Sequence, residues 1–90
     1  MAKKNIVSAL KILVDDAGNG MAEAQYYLGD LYGDGIGVPQ DYMLAHMWYN
    51  LSALQGYENA TDQISSLEDK MSPQQIEQAQ EMVRDWNPKK

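Results

Sequence analysis

The 90-residue sequence predicts an all-α fold, a short right-handed α-solenoid of about five helices in antiparallel pairs. Three observations carry this. Apolar residues recur at helical spacing in five segments, each followed by a breaker such as glycine or proline. No run alternates apolar and polar residues, and the β-branched residues are too scattered for a sheet. Shifted by 36 positions, the chain superposes Ala9 on Ala45, Ala17 on Ala53, Gly20 on Gly56, Ala24 on Ala60 and Leu31 on Leu67. The identities are few, but each is a small residue, a helix-ending glycine or a core leucine, and this period is typical of stacked helix pairs.

The elements follow in order. Ile6, Leu10, Leu13, Val14 and Ala17 share one face of a first helix, which Gly18-Asn19-Gly20 ends. Ala24, Tyr27, Leu28, Leu31 and Tyr32 give a second helix that stops at Gly33, and Gly33 to Gln40 is the one long breaker. Asp41 caps a third helix from about Tyr42 to Gln55, closed by Gly56. A fourth is expected from Asn59 to Lys70. Ser72 caps the fifth, with Pro73 at its first position and Asn87-Pro88 beyond its end. The chain thus reads as one domain: a half repeat over 4–20, a full repeat over 21–56 and a degenerate repeat over 57–87.

Size and composition narrow the function. A domain of this length buries only about 60–65% of its unfolded surface, so its stability is marginal. With no cysteine, it has neither a disulfide nor a thiolate zinc site. The formal charge is −6, and between Lys11 and Lys70 there is no Lys or Arg but ten carboxylates, from Asp15 to Asp69. Such a surface repels phosphate, which argues against nucleic acid and anionic membranes as partners. The acids read first as a solubilising face, and second as an attraction for a basic partner. The basic start and the apolar run Ile6 to Val14 imitate a signal peptide, but Lys11 interrupts the run, Asp15-Asp16 follows and no cleavage pattern appears. The expectation is a cytoplasmic protein.

Candidate chemistry is sparse. Gly33-Asp-Gly-Ile-Gly follows a helix and carries acids, so it reads as a connecting loop rather than a phosphate cradle. Asp30, Asp34 and Asp41 lack the spacing of a calcium loop. His46 is the only histidine, and its place beside Ala45 reads as the exposed side of the third helix. No catalytic residue, metal ligand or cofactor is assigned.

At one stretch the sequence resembles a known family. Ala22-Glu-Ala-Gln-Tyr-Tyr-Leu-Gly-Asp-Leu-Tyr-Gly-Asp-Gly-Ile-Gly-Val-Pro-Gln-Asp-Tyr-Met-Leu-Ala-His-Met-Trp-Tyr-Asn-Leu-Ser-Ala-Leu-Gln-Gly is similar to a complete Sel-one-like repeat, a relative of the tetratricopeptide repeat. Ser52 stands where the first of two paired alanines is usual. Ala9 to Gly20 resembles the second helix alone, and Met71 to Gln80 resembles the closing tail of bacterial members. The resemblance implies a non-enzymatic module for protein–protein interaction. It also implies that Ala24, Gly29 and Ala45 let helices approach, while Gly33, Gly35 and Gly37 reverse the chain.

Two surfaces are expected to bind. In the family's geometry Glu23, Tyr26, Tyr27 and Asp30, with Asp34 beyond them, line the concave side and offer rings and carboxylates to a peptide. Besides its core stripe Ala45, Trp48, Tyr49 and Ser52, the third helix carries a second one, Leu44, Met47, Leu51 and Leu54. The first helix adds Leu10 and Val14 where the full repeat has His46 and Asn50. If neighbouring helices leave these stripes open, Ile6, Leu10, Val14, Leu44, Met47 and Leu51 form the contact of a homodimer.

Overall fold

A computed structural model describes residues 2–87, with side chains from residue 9 onward. It contains α1 (Ala2–Gly18), α2 (Ala22–Asp34), α3 (Tyr42–Leu54), α4 (Glu58–Glu68) and α5 (Pro73–Asp85), and no strand among the described residues. α3 lies at the centre, packed by α2, α4 and α5, while α1 packs on α2. The result is elongated, 41 × 27 × 22 Å, as helix pairs stacked along one axis require.

Local chemistry sets the helix ends. The Asp41 carboxylate accepts a hydrogen bond from the Leu44 amide at 3.1 Å, and Ser72 and Gln75 form a reciprocal capping box ahead of α5. Gly35, at φ 70°, takes the left-handed conformation that ends α2, and its amide bonds back to the Leu31 carbonyl. Two expectations shift here. Gly33 does not reverse the chain: it lies within α2, which runs on to Asp34. α4 ends two residues before Lys70, because the Lys70 and Met71 amides bond to the carbonyls of Leu67 and Glu68 in a tight turn.

The interior divides into two clusters that share Tyr32. Ala17, Ala24 and Leu28 join α1 to α2, with Leu10, Leu13, Leu31 and Trp48 packed around them. Ala45, Tyr49, Ala60, Leu67, Met71 and Ala79 join α3, α4 and α5. Between them α2 meets α3 at very short range. An ideal Cβ on Gly29 would stand 2.7 Å from Cδ1 and Cε1 of the Tyr49 ring, so the expected close approach at Gly29 is real.

Three polar side chains are buried, and each has a partner. Gln25 donates from Nε2 to the Ala17 carbonyl at 3.1 Å and accepts from Gln55 Nε2 at 2.8 Å, tying α1, α2 and α3 together. Ser52 Oγ donates to the Ala22 carbonyl at 2.7 Å, which explains a hydroxyl at a place usually held by alanine. His46 overturns the expectation of an exposed residue: it is 1% exposed. The Asn50 amide approaches its Nδ1 at 2.7 Å, which leaves the Nε2–H to donate to Glu68 at 2.7 Å across the gap to α4. The physical reason is that α4 brings Glu68 against a face that α3 alone leaves open.

The second stripe of α3 is also largely off the surface. Met47 and Leu51 are buried within the single chain and Leu44 is half-buried, so these three do not form the open contact expected of them. Leu54, past the cover, stays exposed.

Candidate partner-binding surface

α2 carries Glu23, Tyr26, Tyr27, Asp30 and Asp34 at i, i+3, i+4, i+7 and i+11, one broad face of a helix. The structure keeps them together on α2 but turns them toward two neighbours. Tyr26 leans toward α4: its ring centroid lies 5.0 Å from that of Tyr57 and 5.8 Å from that of Tyr49. Tyr27 is 47% exposed, touches Tyr26 edge-on at 5.6 Å, and borders a groove against α1.

On the α4 side Tyr49 forms the floor. Its hydroxyl donates to Asp30 Oδ1 at 2.5 Å, which fixes both groups across the α2–α3 contact. Burial, then the bond to Asp30 and that residue's charge, push the Tyr49 phenol far above its ordinary pKa of 10.0. Tyr26 is raised as well, first by burial and then by the charge of Asp30, with Gln63 acting in the opposite direction. Both phenols therefore remain protonated donors beside carboxylates that accept. A small cleft of about 70 Å³ continues this face between Asp34, Tyr42, Tyr49, Gln63 and Lys70.

The α1 side is different in kind. Ala9, Leu10, Leu13, Tyr27, Leu31 and Ile36 line an open apolar groove of about 340 Å³. Ile36 is 56% exposed in the loop between α2 and α3. Of the residues expected to mediate self-association, Leu10 lies half-buried in this groove, Val14 is exposed beside it, and the Ile6 side chain falls outside the described residues.

Sequence reasoning missed Tyr49, Tyr57 and Gln63 as parts of the acidic and aromatic face, because they come from other helices. It also missed the groove, although a large apolar Ile36 between two glycines was a readable sign. What the surface offers is recognition: ring faces, phenol donors and carboxylates that suit cations and peptide groups. No group of three or more metal-ligating side chains occurs among the described residues, and no helix there is long and apolar enough to cross a membrane.

Comparison with curated proteins and with solved structures gave no significant match. Residues 22–57 match the Sel1 repeat, whose family serves in protein–protein interaction and is not catalytic. The matched span is α2, the glycine loop and α3, the helix pair joined by Gly29, Tyr49 and Ser52, and over those residues the chain carries a Sel1 repeat.

Proposed function

We propose that the chain is a non-enzymatic interaction module that holds a peptide or protein on the acidic and aromatic face of α2. The observation that carries this reading is the half-open cluster of Tyr26, Tyr27 and Tyr57 beside Glu23 and Asp30. Aromatic rings give large contact area at low entropic cost, and flanking carboxylates favour a basic segment.

The test is a ¹⁵N chemical-shift titration of the protein with short Lys- and Arg-containing peptides and with acidic peptides of matched length. Basic peptides should shift the amides of Glu23, Tyr26, Asp30 and Tyr57, and Tyr26→Ala or added salt should weaken the response. Equal response to both sets, or shifts confined to other helices, would count against the proposal.

A second reading is self-association. It is favoured by Ile12 and Val14, which remain exposed on α1. Val14→Glu should then convert a dimer to a monomer in light scattering, and a monomeric wild type at high concentration removes this reading.

A further inference from the structure

The rings on the acidic face decide which cation that face selects. Tyr26 stands in the middle. The Tyr27 ring meets it edge-on, at 66° and 5.6 Å between centroids, and the Tyr57 ring is tilted at 40° and 5.0 Å. Tyr27 belongs to α2 and Tyr57 is the N-cap residue of α4, so the corner they make with Tyr26 is set by the packing of two elements. Buried Tyr49, 5.8 Å from Tyr26, backs the corner with core, while Tyr27 is exposed and Tyr57 half-buried at its rim.

Carboxylates surround the same corner. Burial first, and then neighbours that include Glu23 and Asp30, raise the Tyr57 phenol above 10.0. Burial and Asp30, with a smaller part from Asp62, do the same for Tyr26. Both rings are therefore neutral with acids beside them. Asp30 gives Oδ1 to the Tyr49 hydroxyl, which leaves Oδ2 for a further donor. The two ion pairs among the described residues, His46 with Glu68 and Arg84 with Glu81, involve none of these acids. No Lys or Arg lies between Lys11 and Lys70 in the sequence.

Rings and acids together favour one kind of cation. A lysine ammonium is a compact, strongly hydrated charge, and it meets an exposed carboxylate without needing a ring. An arginine guanidinium is flat and weakly hydrated, with its donors along the edge. It can lie on a tyrosine face while that edge reaches carboxylate oxygens.

We infer that the corner of Tyr26, Tyr27 and Tyr57 is an arginine subsite, in which the guanidinium stacks on a ring and its edge pairs with Asp30 Oδ2 and Glu23. This rests on the proposed function and deepens it: the segment held on this face is chosen for arginine over lysine.

The probes are four acetylated, amidated heptapeptides of glycine and serine with one central residue, arginine, lysine, trimethyl-lysine or glutamate. Each is titrated into the ¹⁵N-labelled full chain. The arginine peptide should bind about fivefold more tightly than the lysine peptide and shift the amides of Glu23, Asp30 and Tyr57. Its own Cδ protons should move upfield, as a ring face over the guanidinium requires. Tyr57→Leu should bring the two peptides to parity, Tyr57→Phe should keep the preference, and Glu23→Gln, at an exposed position, should weaken both. An unchanged preference in Tyr57→Leu overturns the inference. Where that variant does not fold, the upfield shift with the wild type decides, and its absence overturns the inference. Equal binding of the arginine and lysine peptides at these amides overturns it too, while leaving the proposed function standing. Tightest binding by the trimethyl-lysine peptide would give the rings to a quaternary ammonium, and the inference fails there as well. A glutamate peptide that binds as tightly as the arginine one, or no binding by any of the four, overturns both readings.

Discussion

Gly29→Ala is the sharpest test of how α2 and α3 are joined. In an ordinary helix this change stabilises by about 1 kcal/mol, because alanine loses less backbone entropy than glycine. Here the added methyl would stand 2.7 Å from two ring atoms of Tyr49 and 3.1 Å from Cγ, so the ring or the helix must move. Tyr49 has little room to move: it is buried, and its hydroxyl is tied to Asp30 on the same helix as Gly29. Overpacking of this kind costs about 1–3 kcal/mol, and a ring held at both ends places the cost at the upper limit. The net expectation is a loss of about 2 kcal/mol, which for a domain of this size lowers Tm by about 10 °C. Circular dichroism at 222 nm gives Tm, and urea melts with an unchanged slope establish that the folded state is otherwise the same. In a Tyr49→Leu background the clash is absent, and Gly29→Ala should be neutral or stabilising. A rise in Tm for Gly29→Ala in the wild-type background would refute the close-approach argument.

Two further outcomes follow from the buried polar groups. The folded state holds the Tyr49 proton well above the ordinary 10.0, so its contribution is complete below pH 10 and declines as pH rises beyond it, where the unfolded chain ionises first. Urea midpoints between pH 8 and 11.5 should fall at the alkaline end, and Tyr49→Phe should make that fall shallower; an unchanged slope in the variant would contradict the assignment. His46→Ala should cost about 2–4 kcal/mol in urea unfolding, since it empties a buried site and removes the link from α3 to Glu68. A cost below about 0.5 kcal/mol, the level of an exposed substitution, would contradict the burial.

The helices were legible where their determinants are local. Asp41 and Ser72 announce the starts of α3 and α5 through a side chain three residues from its partner amide, so no knowledge of the rest of the chain is needed. His46 was not legible, because its partner Glu68 arrives on α4 from later in the sequence. A sign was present nonetheless: the residue 36 positions earlier is Leu10, an apolar side chain at the matching place. Met47 and Leu51 failed for the same reason, their cover being tertiary. The candidate face was half legible. Spacing put Glu23, Tyr26, Tyr27, Asp30 and Asp34 on one side of α2, but only packing divides that side between Tyr57 of the α4 face and the Leu13 groove.

That division leaves α2 between two neighbours and α3 among three, whereas α1, α4 and α5 each pack chiefly on one. α3 is clamped by three helices, whereas α1 is held chiefly by α2 through the small cluster of Ala17, Ala24 and Leu28. Elements with few buried contacts open at lower free energy than the global transition. Amide hydrogen exchange should therefore be slowest in α3 and faster in α1. α1 protected as well as α3 would mean that the two clusters open as one.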